Sequence, residues 1–509
     1  MDGDGGKEEF VNGLWLWMIL WAMGAGNPLE QVTLRLPGRV VTAVAADVNG
    51  DGDADMLVFW KQGFPPTSRS MVSVFPCVSG RLTPSAQQVV ALSKDTVAFD
   101  VADVRIDGKA DVVVLTKDGL WVYPAGADGQ IAQQPEPLIK AMTLAALPHE
   151  DHVPRMRMFF ELDKTRRGLL VPTVPIGTMS LYEGQPGKDW ALRQVLRVPM
   201  RANVHTQLED VRDEWDFAAS FRFALPLWMN ADQNGDGIGD LIFFSQDSAA
   251  VFRGRTDGGF PKTPDFYRSF GLITPEERLK PSLQARGQAA DINGDKRLDL
   301  LFVKTVGGIS NMKSELAVYL ASADGSYPST AHLRQARSGY GSSARLVDVN
   351  GDGRADLVRP GVDIGISAMA KILLSGKIDV NFDVFLAGEK GLGSRADFQF
   401  ESPFGIDLRS AQELTGPYPI LGEDFTGDGV AELVLGVAGG GSGDNPDRLE
   451  VHPGTRGGRF SDRVFWRLSL PATPNVYPYR RRSGERPGLI VHFPLVERLR
   501  GDVWVFQNF

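Results

Sequence analysis

The sequence predicts an all-β protein, a β-propeller of four-stranded blades, and three observations predict it. A nine-residue pattern, D-x-[N/D]-G-D-G-x-x-D, recurs along nearly the whole chain. Each copy leads into a short apolar run and then into a second strand that ends in an aromatic residue. The composition, 43% hydrophobic with 57 glycines and 32 prolines, suits many short strands joined by turns and argues against a helical bundle or a disordered chain.

Clear copies are DVNGDGDAD from Asp47, DQNGDGIGD from Asp232, DINGDKRLD from Asp291, DVNGDGRAD from Asp348 and DFTGDGVAE from Asp424. A weaker copy, DVRIDGKAD, starts at Asp103. The runs that follow (MLVFW, VVVL, LIFF, LLFV and LVLG) are short and rich in β-branched and aromatic residues, as buried strands are. The second strands end at Phe75, Tyr123, Phe252, Tyr319 and Phe385. These flanks expose two units whose loops have decayed: GLLVPT then SLYEG after Asp163, and GLIVHF then WVFQN after Arg481.

Eight units result, with a mean spacing of 62 residues between Asp47 and Arg481, ample for a four-stranded blade. Eight blades is therefore the expected count, and seven is the alternative, because the units at Asp163 and Arg481 have the least complete loops. A lone strand within Glu30–Gly38 precedes the first loop, and the last unit runs out at Phe509 after its third strand. That N-terminal strand is expected to complete the last blade and remove the exposed sheet edges.

Residues 1–26 are expected to be a signal peptide or N-terminal hydrophobic segment, and residues 27–509 a single propeller. The run Leu14–Met23 is ten residues long, about half of what crosses a bilayer. Ala22, Gly24, Ala25 and Gly26 supply small residues for cleavage. Asp2, Asp4, Glu8 and Glu9 outnumber Lys7 before the run, which leaves a signal anchor or a different start open. Cleavage would leave no membrane span in the mature chain. The one cysteine, Cys77, excludes an intrachain disulfide and reads as a small buried hydrophobe at a strand end.

Oxygen-bearing side chains at positions 1, 3, 5 and 9 of a tight turn, with glycines at 4 and 6, form a cage for a hard cation. Calcium, with its six to eight oxygens and tolerance of irregular geometry, suits this better than magnesium. The expected side-chain ligands are Asp47, Asn49, Asp51 and Asp55; Asp232, Asn234, Asp236 and Asp240; Asp291, Asn293, Asp295 and Asp299; Asp348, Asn350, Asp352 and Asp356; and Asp424, Thr426, Asp428 and Glu432. The position 7 residues Asp53, Ile238, Arg297, Arg354 and Val430 would contribute main-chain carbonyls.

About five structural Ca2+ sites are expected, one per clear loop. Repeated Asn-Gly-Asp-Gly strings are also simply good turns, but a turn by itself does not call for the ninth-position carboxylate. Lys296 replaces the second glycine of its loop, at about 1 kcal/mol if positive φ is needed there. Arg105 and Ile106 remove the position 3 oxygen and first glycine from the Asp103 loop. Arg166 with Arg167, and Arg481 with Arg482, occupy the decayed loops. These three blades are expected to be metal-free, with arginine replacing the ion's charge.

The five clear loops hold 16 carboxylates, leaving 47 acids against 54 bases elsewhere, so the net charge of −9 resides in the loops. Five Ca2+ ions would bring it to +1.

At these residues the sequence resembles the FG-GAP and VCBS repeat proteins, including the N-terminal propeller of integrin α subunits. The unit DFTGDGVAELVLGVAGGGSGDNPDRLEVHPG from Asp424 is the most similar. The resemblance covers about Leu34 to Phe509 and implies a single FG-GAP-type β-propeller with calcium loops on one rim. It also implies a partner-binding surface that many relatives place on the opposite rim. The loops after Asp103, Asp163 and Arg481 depart from the pattern.

No catalytic centre is expected. His149 and His152 form an i, i+3 pair without an assignable third zinc ligand and read as a solvated loop. His452 takes the aromatic position of its unit and reads as a packing residue. No G-x-S-x-G elbow, phosphate-binding loop or H-E-x-x-H motif occurs. Gly439, Gly440, Gly441 and Gly443 form a turn, and the short basic cluster Arg480–Arg482 adjoins acids, which argues against nucleic acid as a partner.

Three longer insertions stand out, 139–158, 201–228 and 360–378. The middle one carries Trp215, Phe217, Phe221, Phe223 and Trp228. These aromatics read either as a binding surface or as a cap on the ring's core.

The expected function is a calcium-binding extracellular or periplasmic propeller, acting as a non-catalytic scaffold for a protein or glycan, either as a monomer or within a surface assembly. A secreted polysaccharide lyase or hydrolase on the same fold, and a purely structural module, are the alternatives, because fold alone does not select among them.

Overall fold

The computed structural model describes residues 30–507 except 65–66, 146–152, 164, 201, 212–213, 224, 308–311, 340–342, 363–376, 407–413, 416–418, 438–446, 473 and 495. The segment read as a signal peptide, the His149/His152 pair and the glycine cluster at 439–443 lie outside the described residues.

Eight antiparallel sheets form a ring, seven of four strands and that of blade 6 extended to five by Leu414–Thr415, so the count of eight blades holds. Strands are named A to D outward from the axis, where the A strands of neighbouring blades approach one another. Strand B of each blade is the apolar run: Asp55–Gln62, Asp111–Thr116, Arg167–Thr173, Asp240–Ser245, Asp299–Val306, Asp356–Gly361, Glu432–Val437 and Gly488–His492 in blades 1 to 8. It sits between two other strands of its own sheet, and neighbouring blades cover both of its faces. That explains why it reads as continuously apolar: Asp299–Val306, for example, is buried at every position. Strand D lies at the outer edge and alternates instead, as in Leu333–Ser338.

Eight hydrophobic clusters fill the eight blade interfaces. Between blades 1 and 2, Phe59 stacks on Phe99 with ring centroids 3.7 Å apart. Between blades 8 and 1, Leu34, Ile490, Val503 and Val505 meet Met56, Val58 and Trp60. Cys77 is buried and free, at the end of strand C of blade 1.

The N-terminal strand closes the ring as expected. Glu30–Arg35 pairs antiparallel with Asp502–Gln507 as the outer strand of blade 8, with Glu30 opposite Gln507 and Arg35 opposite Asp502. The decayed units at Asp163 and Arg481 are full blades, numbers 3 and 8.

The middle insertion is an antiparallel hairpin, Ala202–Val211 with Glu214–Phe223, between blades 3 and 4. The side chains of its four aromatics lie outside the described ones. Trp228, just beyond, packs edge-on against Phe160 in the blade 3/4 interface. The only helix among the described residues is one turn, Pro275–Arg278, with a Thr274 capping box, and none is long and apolar enough to cross a membrane.

His492, on strand B of blade 8, is 1% exposed, with Tyr477 edge-on to its ring. Burial lowers its pKa from the ordinary 6.5 to about 4. The unfolded chain thus binds a proton that the folded chain resists, so this group's contribution is complete above pH 6.5 and is lost as pH falls toward 4. Urea unfolding at pH 7 and pH 5 is expected to show a smaller acid shift of the midpoint for His492→Leu than for the unmodified protein.

Candidate metal centres

Every repeat loop is the connection from strand A to strand B, so all eight lie on one rim of the ring. In the first loop, Asp47 accepts the Gly50 N–H at Oδ1 (2.6 Å) and the Gly52 N–H at Oδ2 (2.8 Å). Asn49 Oδ1 accepts from Asp51 N–H and Asp51 Oδ1 from Asp53 N–H, both at 2.8 Å. The loops at Asp232, Asp291 and Asp348 repeat this network bond for bond. An ionised carboxylate has about four lone-pair sites, so two N–H bonds leave it capacity for a cation.

Position 6 is left-handed throughout, and Lys296 adopts φ 66° where the other clear loops have glycine. Position 4 needs glycine for a second reason. A Cβ on Gly351 would lie 2.3 Å from the Gly429 carbonyl oxygen of the next blade's loop. Neighbouring loops are in contact there and also exchange backbone bonds: Ala110 N–H donates to Asp47 O, Ala355 to Asp291 O and Ala54 to Arg481 O.

The ninth position has a structural role that sequence reasoning missed. Asp55, Asp240, Asp299, Asp356 and Glu432 are each at most 1% exposed. In each of the four aspartates, one oxygen accepts the position 2 N–H of the loop and the other accepts an N–H just past strand C, from Cys77, Gly254, Ala321 or Ala387. A good turn can do without this carboxylate, whereas the blade uses it to tie loop, strand B and strand C together. Burial pushes Asp240, Asp299 and Asp356 up to about 6 against the pull of those N–H groups, and the aspartates at positions 5 and 1 push the same way. Burial likewise raises Asp55 and Glu432.

The loops differ in how closely their acids converge. At Asp424, one carboxylate oxygen from each of Asp424, Asp428 and Glu432 falls within 4.8 Å of the others, and among the described residues this is the one three-acid cluster that tight. Thr426 donates its hydroxyl to Glu432 Oε1 (3.0 Å). In blades 5 and 6 the position 7 arginines lie against the position 5 acids, Arg297 on Asp295 at 2.5 Å and Arg354 on Asp352 at 3.4 Å. Asp53, also at position 7, turns its side chain to blade 8, where Arg482 Nε lies 2.6 Å from Oδ1.

In the Asp103 loop, Arg105 at position 3 bonds the buried Asp111 from Nε (3.0 Å) and an NH2 nitrogen (2.8 Å), and the same nitrogen lies 3.4 Å from Asp107. A guanidinium thus joins the acids at positions 5 and 9. In the other decayed loops Arg166 pairs with Asp163 (2.6 Å) and Arg481 with Glu485 (2.9 Å).

Residues 291–358 match the family model of the FG-GAP-like repeat. The chain is a β-propeller that carries an FG-GAP-like repeat. The match spans the A–B loop and strands B to D of blade 5, then strand A and the A–B loop of blade 6, and the same loop network occurs in blades 1 and 4. No curated protein matches the chain. Three solved structures align with this chain.

A propeller titled Dos1 aligns over 94% of this chain and 95% of its own, at 8% identity and a TM-score of 0.42. An Agrocybe aegerita lectin, described as recognising non-reducing terminal N-acetylglucosamine, aligns over 74% and 90% at 14% identity and a TM-score of 0.37. The V. cholerae biofilm matrix protein Bap1 aligns over 94% and 87% at 10% identity and a TM-score of 0.29.

Arg105→Ala would leave Asp111 buried without its charge partner. The expected cost is about 2–4 kcal/mol in chemical unfolding, below the full buried-pair value because the arginine is partly exposed.

Proposed function

We propose that this propeller is a calcium-stabilised, non-catalytic binding scaffold that works outside the cytoplasm, in the periplasm or at the cell surface, and presents its loops to a protein or glycan. The observation that carries the calcium reading is the contrast between loops. Where position 3 has lost its oxygen, Arg105 brings a cation to the acids at positions 5 and 9. Where the motif is intact, several carboxylates converge on one loop, most tightly at Asp424, Asp428 and Glu432.

The donor set is all oxygen, which suits a hard divalent ion. Positions 1, 3, 5 and 9 of the five clear loops, with the carbonyls of Asp53, Ile238, Arg297, Arg354 and Val430, would hold it. Bound calcium would supply charge neutralisation and cross-linking within the loop, without taking part in a reaction. Exported proteins often rely on disulfides, and a chain with Cys77 alone has none to use.

Metal analysis of the purified protein is expected to find about five calcium equivalents, one per intact loop. Each saturated site would add about 2.7 kcal/mol at a hundredfold excess of calcium over its Kd, so a chelator should lower the melting temperature sharply. Asp428→Ala should remove one equivalent and leave the rest. Absence of calcium together with an unchanged melting temperature in chelator would overturn the reading and leave the loops as turns.

A further inference from the structure

In six blades the connection from strand C to strand D is 12 or 13 residues long, whereas in blade 3 it is six, residues 185–190. The long connections reach back over the preceding blade. Gln233 Nε2 donates to Gly325 O (3.0 Å), Arg166 to Asp257 O (2.5 Å), Arg481 to Gly80 O (2.6 Å) and Gln87 Nε2 to Asp128 O (2.9 Å). Blade 3 lacks the residues to do this. What reaches blade 2 there is the Trp190 indole, whose N–H donates to Val104 O at 2.9 Å.

The shortened connection leaves a cleft of about 510 Å³ between blades 2 and 3, within the usual range of small-molecule sites, about 300–1,000 Å³. Trp190 is firmly held in it. One face of the ring lies against Gly184, where a Cβ would come within 2.7 Å of the ring carbons, and Phe159 meets the ring near its edge. Pro137 and Leu138 of blade 2 add apolar surface, and Lys140, Lys188 and Asp189 add polar groups. A smaller hollow of about 240 Å³ shares Lys188 and Asp189 and adds Gln185.

We infer that this cleft is a carbohydrate-binding site with Trp190 as its stacking platform. The lining is only weakly charged, because Arg105 is paired with Asp111 and Arg193 with Glu183 and Lys140, Lys188 and Asp189 leave a residual charge of one, so no strong field selects a highly charged ligand over a neutral sugar. A fixed aromatic face, which is electron-rich and attracts the polarised C–H face of a sugar ring, beside carboxylate, amide and ammonium groups matches a polyhydroxylated ring. The inference rests on the scaffold reading but not on calcium, since Arg105 fills the neighbouring loop.

The test uses the full chain, an array of neutral oligosaccharides of glucose, galactose, mannose and N-acetylglucosamine, and assays of tryptophan fluorescence and sugar cleavage. At least one glycan should bind and change the fluorescence. Trp190→Ala should weaken it about tenfold or more. Asp189→Ala, at an exposed side chain that forms no hydrogen bond among the described residues, should weaken it several-fold at an unchanged melting temperature. Cleavage of the bound glycan that both variants abolish would support the cleft while overturning the non-catalytic reading. Absence of binding across the array, or binding that both variants keep, would overturn the cleft.

Discussion

The buried carboxylate at the start of strand B is the constraint on which each intact blade depends. It is the first residue of the strand that both neighbouring blades cover, so it leaves water entirely. Such a charge is costly unless hydrogen-bonded; the two oxygens of Asp55, Asp240, Asp299 and Asp356 receive backbone N–H groups from two different connections, while Glu432 Oε2 takes both of its backbone N–H groups from its own loop. Bonds to a charged acceptor are worth about 1.5–3 kcal/mol each. In the four aspartates the pair therefore sets where the A–B loop begins and where strand C ends. Removing one donor would cost more than a bond, because the charge would stay buried.

The same rim also joins blade to blade. Position 8 amides donate to the preceding loop's first residue, position 4 glycines admit the next loop's backbone, and arginines of blade 8 engage Asp53 of blade 1. The apolar clusters supply the bulk of the attraction between blades but are not directional. The loop contacts are, and they fix the offset of one blade against the next. A cation in the loops would sit within this belt, so its effect would reach beyond a single turn.

Much of this architecture was legible in the sequence because its strongest signals are local. The apolar run after each loop marks strand B, the aromatic at Phe75, Tyr123 or Phe252 marks the end of strand C, and together they recovered the blades at Asp163 and Arg481 despite their lost loops. The orphan segment at Glu30 and the short last unit foretold the closure.

What escaped was long-range. The partner of Asp55 across the blade is the amide of Cys77, 22 residues away, and nothing in a nine-residue pattern points to it. Residues 185–190 look like any Gly- and Pro-containing turn until the strand ends on either side are known; only then does the missing length become visible. Arg105 was the intermediate case, since a base at an oxygen position is a readable signal although its reach to Asp111 is not.

The strand Glu30–Arg35 also carries a kinetic consequence. Its partner, Asp502–Gln507, lies more than 460 residues further along the chain, whereas neighbouring strands within blades are tens of residues apart at most. In chain entropy the longer loop costs only about 2 kcal/mol more than one of sixty residues, so equilibrium tolerates it easily. Time does not tolerate it in the same way, because contacts so distant in sequence form late. Blades 1 to 7 can assemble from their own strands, while blade 8 must keep one outer edge unpaired until the two ends of the ring meet. The final pairing then acts as a check on the whole: a ring with a misfolded blade would bring Val32 and Leu34 to the wrong place, and the last edge would stay open.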